Sequence, residues 1–314
     1  MKRFYFVLLP RFSLVSFSCA IDALRGANQV LSKAYYHWHA VSAEGGNMPS
    51  SSSITAPTNL LEDVESPDVI VLCGGDQSHN YSNPVLSSWL HKKAQGNTRI
   101  GSISDGSFVA ADVGLFDKVP STIHWKCFDA YRERFPKLDV KPSIMEISDK
   151  RFSCAGGTAS LDLMLQFISE DHGTDVSSQI ANNYFHDTIR DASREQHVTN
   201  AFRLASRSPI VAQALLLMED NLETPLTISD IAEKLELSHR QFNRVFKRDF
   251  DLAPQVVYRN LRLARAAGLL LQTNIGVTEI AVGCGFQSAS HLGKYFKQLN
   301  GVTPGAYRKQ NSPY

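Results

Sequence analysis

The stretch IGSISDGSFVAADVGLF, residues 100–116, contains the side chains in this sequence that are best suited to catalysis or ligand binding. An apolar, β-branched run leads through Ser104 and Asp105 into a segment with helical periodicity. A serine on a tight strand-to-helix turn can be a nucleophile, although Ser102 replaces the first glycine of the G-x-S-x-G pattern. Because a serine hydroxyl needs a base to remove its proton, His124 is the candidate partner. Two interpretations stay open: Ser104 is a nucleophile, or its turn lines a binding pocket.

Carboxylates and an aromatic ring occur in the segments that should converge on this turn. A tryptophan face beside carboxylates suits a cationic head group, through charge and cation–π attraction. The backbone N–H groups at the helix start after Ser104 suit a carboxylate. We therefore predict a small zwitterionic ligand, bound by Asp22, Asp76, Ser104, Asp105, His124 and Trp125. The alternative for Asp22 and Trp125 is an ordinary helix cap and an ordinary core residue.

The first 170 residues alternate short β-branched runs with helical periodicity, which predicts βαβ units and a mostly parallel sheet covered on both faces. Ligands bind such α/β sheets at the carboxyl ends of the strands. The turns at residues 73–76 and 104–106 lie at two such ends, so one shared pocket is expected. After Gly157 the spacing of apolar residues predicts two helices, over residues 158–173 and 176–196.

The last hundred residues contain an internal repeat. Residues 228–254 return as residues 277–304, with an offset of 49 residues before the turn and 50 after it. Each copy predicts a short helix, a turn and a second, basic helix, which is the helix-turn-helix arrangement that inserts its second helix into the DNA major groove. We therefore expect an all-α C-terminal domain with two helix-turn-helix units, whose cores include Phe242, Phe246, Leu292 and Phe296. Thr227 with Asp230 fits a capping box that starts the first unit.

Arg, Gln and Asn can make bidentate hydrogen bonds to base edges, whereas lysines more often position a protein on phosphates. On this basis the residues predicted to face the first groove are His239, Arg240, Gln241, Asn243 and Arg244, with Lys247 on a phosphate. Those predicted to face the second are Gln287, Ser288, Ser290, His291 and Lys294, with Lys297 on a phosphate. The alternative for each residue is a solvated basic face.

Charge is distributed unevenly along the chain. Residues 237–314 carry eleven Lys or Arg and three acidic residues, a net charge of +8, so the other residues carry −7 of the total of +1. A basic C-terminal module of this kind indicates a polyanionic partner, here double-stranded DNA. No apolar run approaches the length of about 20 residues that a membrane span needs, and we expect a cytoplasmic protein without a membrane partner. The five scattered cysteines predict reduced thiols rather than disulfides.

The predicted division of the chain is a sensing domain over residues 1–192, a polar linker over residues 193–208, and a DNA-binding domain over residues 209–314. His37 and His39 share one face of a strand, but no third ligand accompanies them. We therefore expect no metal site and no cofactor.

The motifs carry two family resemblances. IAEKLELSHRQFNRVFK and the GF…F-K…G-x-x-P-x-x-Y-R signature resemble the AraC/XylS transcription regulators. The segments VLCGGD, SISDGSF, IHWKCFDAYRERFP and SCAGGTASLDLMLQFI resemble the PfpI-like, class I glutamine-amidotransferase-like fold. That likeness implies a flavodoxin-like first domain, and the HWKCFDAYRERFP and CAGGTASLDLMLQFI segments are most similar to regulators of arginine, carnitine and glycine-betaine use.

The resemblance implies an effector-responsive activator that binds DNA as a homodimer, contacts RNA polymerase, and senses an amino-acid-like or betaine-like molecule. Catalytic members of the PfpI-like group have a cysteine at the position of Ser104, so the first domain is expected to be non-catalytic. Two alternatives differ in class. One is a Ser104-dependent amidase or hydrolase with a DNA-binding tail, and the other is a constitutive DNA-binding protein whose first domain only dimerises.

Overall fold

The computed structural model describes residues 1–62, 66–196 and 208–311. The chain divides into two compact units, Met1–Gln196 and His197–Tyr314. Within the predicted linker, residues 193–196 belong to the first unit and residues 197–207 lie outside the described part of the chain.

The first unit is built on an eight-stranded sheet whose order is β3-β4-β2-β1-β5-β6-β8-β7. All neighbouring strands are parallel except the pairs β3–β4 and β7–β8. The strands are β1 Lys2–Leu8, β2 Tyr36–Ser42, β3 Gly46–Pro49, β4 Thr55–Leu60, β5 Val69–Cys73, β6 Arg99–Ile103, β7 Met145–Ile147 and β8 Arg151–Cys154. The mostly parallel α/β sheet predicted from the sequence is confirmed, and the antiparallel edge strands extend it.

Helices cover both faces of this sheet, as the apolar character of the central strands requires. Every residue of β5 is buried, which is typical of a parallel strand enclosed on two sides. The helices are α1 Leu14–Val30, α2 Pro84–Ala94, α3 Gly106–Asp112, α4 Phe128–Arg134, α5 Ala159–His172 and α6 Thr174–Asn183. Phe4, Phe6 and Leu8 pack with residues of α1, α5 and α6 in one core cluster. Successive side chains alternate between faces, so Tyr5 and Val7, which are also buried, point to the opposite layer.

The second predicted helix, over residues 176–196, is wrong beyond Asn183. Helix α6 ends there, and Phe185 adopts a left-handed conformation with φ 54° that interrupts helical hydrogen bonding. The chain then continues to Gln196 without further helix and with turns at residues 184–185 and 192–193, because polar groups of the sheet domain provide hydrogen bonds that a helix would make internally. Gln196 N, for example, donates to the carbonyl oxygen of Pro142 at 2.7 Å.

The second unit is helical throughout its described part, residues 208–311. Its helices are α7 Pro209–Asp220, α8 Ile228–Lys234, α9 His239–Phe250, α10 Pro254–Gln272, α11 Val277–Gly283, α12 Ala289–Asn300 and α13 Pro304–Asn311. Helices α8 and α9 form one helix-turn-helix unit and α11 and α12 the other, joined by α10. Phe242, Phe246, Leu292 and Phe296 are fully buried, which confirms their predicted place in the core.

None of the described helices is both long and apolar enough to span a membrane. The described residues also contain no group of three or more His, Cys, Asp or Glu side chains arranged to hold a metal ion.

Candidate functional site

The turn after β6 has the strained geometry of a nucleophile elbow. Ser104 follows the strand directly and has φ 55°, a left-handed conformation that non-glycine residues rarely adopt. The backbone is tightly packed on both sides: a Cβ on Gly74 would lie 2.0 Å from the amide nitrogen of Gly106, and one on Gly156 would lie 2.7 Å from Cβ of Ser104. Glycine at both positions lets the turns after β5, β6 and β8 meet at this edge of the sheet.

Asp105 is the acidic group at the centre of this edge. Its carboxyl group is hydrogen-bonded to the side chains of Ser104 and Cys127, and both bonds favour the ionised form. Enclosure by protein atoms outweighs them and, with the nearby charge of Asp76, raises the pKa of Asp105 to about 7. Near neutral pH the carboxyl group is therefore divided between a neutral and an ionised form.

Asp76 brings a second carboxylate and a guanidinium to the same place. Its carboxylate accepts a hydrogen bond from Nη2 of Arg11 at 3.1 Å, and both side chains are about half exposed. Arg11 itself has φ 59°, and its carbonyl oxygen packs so closely on Gly75 that a Cβ there would lie 2.1 Å away. Sequence reasoning missed Arg11, because the residue precedes α1 in the chain and only the fold brings it to the turn after β5.

His124 and Trp125 form the aromatic part of the site. Their rings are stacked with centroids 5.7 Å apart. Trp125 is 40% exposed, which is unlike the ordinary core residue that is the alternative interpretation of its sequence position. Burial lowers the pKa of His124, and the positive charge of Lys126 lowers it further. The Lys126 ammonium lies 5.6 Å from the centre of the Trp125 ring, so part of this aromatic surface already contacts a cation.

Of the six predicted ligand-binding residues, Asp76 and Ser104 both interact with Asp105, and His124 and Trp125 directly precede Lys126 and Cys127, which also interact with Asp105. Asp22 makes its contacts elsewhere. The carboxylate of Asp22 pairs with Nε of Arg25 at 2.8 Å, one helical turn along α1. Its carbonyl oxygen accepts a hydrogen bond from the hydroxyl of Tyr184, in the segment after α6. Cys127, one of the cysteines predicted to be reduced thiols, contacts Asp105. Its position three residues after His124, in the same motif, was the available signal.

The side chains of Ser104 and His124 have different hydrogen-bond partners. The Ser104 side chain is hydrogen-bonded to Asp105, whereas Nδ1 of His124 accepts a hydrogen bond from the Lys126 amide at 3.3 Å. In the turn after β5, Gly74 N donates to Ile103 O at 3.2 Å and Gly75 N donates to Oγ of Ser78 at 2.9 Å.

The second site is the exposed face of α9. Ser238 and Gln241 form a capping box that fixes the start of this helix, and Thr227 with Asp230 form the predicted one at the start of α8. The exposed side chains on α9 include His239, Arg240, Gln241, Arg244 and Lys247. The spacing of positions 240, 244 and 247 places them on one side of the helix, opposite the buried phenylalanines.

Three of the residues of α9 that are predicted to contact DNA also form hydrogen bonds or ion pairs within the protein. Oε1 of Gln241 accepts a hydrogen bond from Ser238 N at 2.9 Å, so only its NH₂ group remains for a base. Asn243 is partly buried and donates to the carbonyl oxygen of its helix neighbour His239. Lys247 forms an ion pair with Asp251 at 2.6 Å, which a phosphate would have to replace.

Helix α12 repeats this arrangement. Gln287, Ser288, Ser290, Lys294 and Lys297 are exposed. Oγ of Ser288 caps the helix by accepting a hydrogen bond from His291 N at 3.1 Å. The ring of His291 is partly buried between Phe286 and Tyr295, so it contributes to packing as well as to the surface.

Residues of the sequence signature in the second helix-turn-helix motif make contacts that stabilise the C-terminal unit. Gly285 has φ 70° in the turn after α11, and a Cβ there would lie 2.5 Å from Cγ of Pro225 in the loop before α8. Arg262 on α10 donates to the Gly285 carbonyl oxygen at 2.9 Å and lies 4.6 Å from the Phe286 ring centre. Arg308 donates to two carbonyl oxygens at the end of α10, those of residues 270 and 275.

Comparison with known proteins connects the two sites. The DJ-1/PfpI family matches residues 2–169, and a helix-turn-helix domain matches residues 231–310. The HTH-type transcriptional regulator CdhR of Pseudomonas aeruginosa is 33% identical over 304 residues, which is 96% of this chain and 90% of that protein. The HTH-type transcriptional regulator GbdR of the same species is 32% identical over 300 residues, 95% of this chain and 82% of that protein.

The crystal structure of an AraC family transcriptional regulator from Pseudomonas putida has the same α/β fold, with a TM-score of 0.55 and 24% identity. It covers 59% of this chain and 100% of that one. The near full-length similarity to CdhR and GbdR extends through both the DJ-1/PfpI domain and the helix-turn-helix region. This chain therefore belongs to the AraC-type, DNA-binding HTH transcriptional regulators that carry an N-terminal DJ-1/PfpI domain.

Proposed function

We propose that the DJ-1/PfpI unit is a non-catalytic sensor for a small zwitterionic effector, and that effector binding alters transcription from the DNA that the C-terminal unit binds. The observation that supports this proposal is the set of interactions around Asp105, which involve Ser104 and Asp76 and also Cys127, three residues after His124. In this proposal the chain divides, as the sequence predicts, into sensor, connection and DNA-binding domain.

The chemistry at this edge matches an amino-acid-like or betaine-like molecule. The exposed Trp125 face and the Asp76 carboxylate attract a cationic head group. The Arg11 guanidinium, which is paired with Asp76, can instead donate to a ligand carboxylate, because guanidinium and carboxylate match in geometry. Asp105 adds a group that can accept from the head group when ionised or donate to the ligand when neutral.

A thermal-shift screen of the full chain tests the sensor. The compounds are amino acids, guanidino compounds, carnitine and betaines, and a ligand at about 100 times its Kd adds about 2.7 kcal/mol to the stability of the folded state. We expect a stabilising compound whose effect is lost in Trp125→Ala and retained in Trp89→Ala, a matched change on α2. If no compound stabilises the protein while DNA binding is intact, the sensor proposal fails and a dimerisation-only domain is favoured.

The hydrolase alternative has its own test. Amidase or esterase turnover that disappears in Ser104→Ala would contradict a non-catalytic domain. We expect no turnover in either protein, because Asp105 rather than an imidazole is bonded to the Ser104 side chain. Ser104→Ala should keep DNA binding and change only the response to the effector.

On the DNA-binding unit we propose that Arg240, Arg244 and Gln287 contact base edges and that Lys247 and Lys297 contact phosphates. The support is the exposure of Arg240, Arg244 and Lys247 on one side of α9, and of Lys297 on α12 and Gln287 in the turn before it. We also propose an activator that acts as a homodimer with RNA polymerase, in keeping with the two reading units, which would occupy successive turns of DNA about 10 base pairs apart. Sedimentation with and without DNA tests the dimer.

A further inference from the structure

The chain leaves the first unit along a path that borders the candidate effector pocket. Residues 192–196 run antiparallel to residues 142–145, with a β-bridge between Ser143 and Glu195. Ile144 N donates to Arg194 O at 2.7 Å, and Gln196 N donates to Pro142 O at 2.7 Å. The next residues, 197–207, connect to the DNA-binding unit and lie outside the described part of the chain. Gln196 is thus the last described residue before that connection.

The Gln196 side chain reaches the segment that carries the aromatic part of the pocket. Its Nε2 lies 3.0 Å from Oγ1 of Thr122, 2.8 Å from the carbonyl oxygen of Ile123 and 2.9 Å from that of Ser143. Thr122 and Ile123 are fully buried and directly precede His124 and Trp125. A ligand that moves His124 or Trp125 therefore acts on the acceptors of Gln196 through one or two peptide units.

A second connection runs from the elbow to the same glutamine. Oγ of Ser107, on the helix that follows Ser104, lies 2.8 Å from Oγ of Ser102 and donates to the carbonyl oxygen of Thr122 at 2.7 Å. Oγ1 of Thr122 in turn accepts from Gln196. Ser102, Ser107 and Thr122 are fully buried, so these hydrogen bonds do not exchange freely with water.

The Gln196 side chain does not satisfy all of its hydrogen-bonding groups in this position, which we call docked. An amide NH₂ group has two protons and here faces three acceptors, while Oε1 of Gln196 is buried without a hydrogen-bond partner. A buried acceptor without a partner costs free energy. Docking of this side chain is therefore weaker than a fully satisfied contact, and a modest change in the pocket wall can alter it.

The part of the segment nearer α6 is held independently of the pocket. Asp162 is fully buried and accepts from Arg190 N and from Nε of Arg190, both at 2.8 Å, while Nε2 of His186 lies 2.7 Å from the same carboxylate. These bonds anchor residues 186–190 to α5. Release of Gln196 would thus move residues 191–196 about a fixed point.

We propose that Gln196 couples the effector pocket to the DNA-binding unit. In a docked state it is bonded to residues 122, 123 and 143, and in a released state the start of the connection is free of them. A ligand at Trp125 shifts the balance only by binding the two states with different affinity. This inference rests on the proposed sensor function.

Hydrogen exchange of the full-length protein, followed by mass spectrometry, tests the coupling without a ligand. In Gln196→Met, which removes the donors and keeps the volume, we expect exchange to accelerate about tenfold in residues 192–196 and also in residues 121–127. Gln179→Met, on the exposed face of α6, should change neither region. Conversely, Trp125→Ala should accelerate exchange in residues 192–196. Faster exchange confined to residues 192–196 in Gln196→Met would overturn the coupling.

DNA binding completes the test. With a duplex selected in vitro by the full-length protein, Gln196→Met should change the Kd several-fold, and Gln179→Met should not. An unchanged Kd would overturn the proposal and leave Gln196 as a structural anchor. The outcome is separable from that of the ligand screen: a compound that stabilises wild type and Gln196→Met equally, with no change in exchange at residues 121–127, would leave sensing intact and reject the coupling. If the exchange and DNA-binding changes occur but no compound stabilises the protein, the sensor function is rejected and the coupling through Gln196 is retained. Gln196→Glu provides a second variant should Gln196→Met fold poorly.

Discussion

The ionisation of Asp105 predicts how the stability of the first unit depends on pH. The pKa of this carboxyl group is raised to about 7, from an ordinary value of 3.8, mainly by burial. The folded state therefore binds the proton more tightly than the unfolded state, and the free energy of unfolding should fall as the pH rises through this interval. One pKa unit corresponds to about 1.36 kcal/mol of free energy. Between about pH 5 and pH 8 the free energy of unfolding should therefore fall by about 2 kcal/mol, after allowance for the partial solvent exposure of Asp105.

Asp105→Asn keeps the shape of the side chain and cannot ionise. The difference in unfolding free energy, wild type minus variant, should therefore become more negative by about 2 kcal/mol over that pH interval. Urea unfolding followed by tryptophan fluorescence measures this in the full-length protein, because all three tryptophans, at positions 38, 89 and 125, lie in the first unit. Asp187→Asn, an exposed carboxylate, is the control. A difference that stays constant with pH would refute a buried, proton-binding Asp105.

Other predictions concern the second unit. Gly285→Ala should lower its thermal stability by more than about 1 kcal/mol, because of the left-handed φ and the clash that a Cβ would make, whereas Gly293→Ala, with open space around it, should stabilise α12 slightly; calorimetry compares them. Ser238→Ala removes a capping side chain and should cost about 1 kcal/mol, measured by denaturant unfolding followed by circular dichroism. Arg244→Ala should reduce the preference for one base pair by about 1–3 kcal/mol in a binding competition. Lys297→Ala should weaken binding to all DNA sequences alike and reduce the slope of log K against log salt concentration by about 1. The reverse pattern would contradict the assignment of Arg244 to a base and Lys297 to a phosphate.

The sequence predicted the regular parts of this protein because they depend on local patterns. The alternation of β-branched runs with helical periodicity gave the parallel sheet, and the repeat in the last hundred residues gave both helix-turn-helix units. The buried positions of Phe242 and Phe296 and the capping box at Thr227 follow from spacing along one helix or across one turn.

The same reasoning failed where distant partners replace local ones. Residues 184–196 have helical spacing, yet they form turns and irregular structure, because Asp162 and the edge formed by residues 142–145 provide hydrogen bonds to them. The pair between the Asp22 carboxylate and Arg25 is local, but nothing within ten residues of Asp22 indicates that its carbonyl oxygen accepts from Tyr184, 162 residues away.

What the sequence determined by itself is the family, the two kinds of domain and the absence of a cysteine at the elbow, because these depend on which side chains stand at which spacing. What the tertiary structure decided is the chemistry of the elbow. Ser104 and Cys127 both hydrogen-bond to one enclosed carboxyl group, and burial shifts the proton equilibrium of that group. The tertiary structure also decided that Gln196, remote in sequence from Ile123, contacts its carbonyl oxygen. Burial and long-range contacts exist only after the chain has folded, so the electrostatics of the pocket and its connection to the linker are properties of the fold.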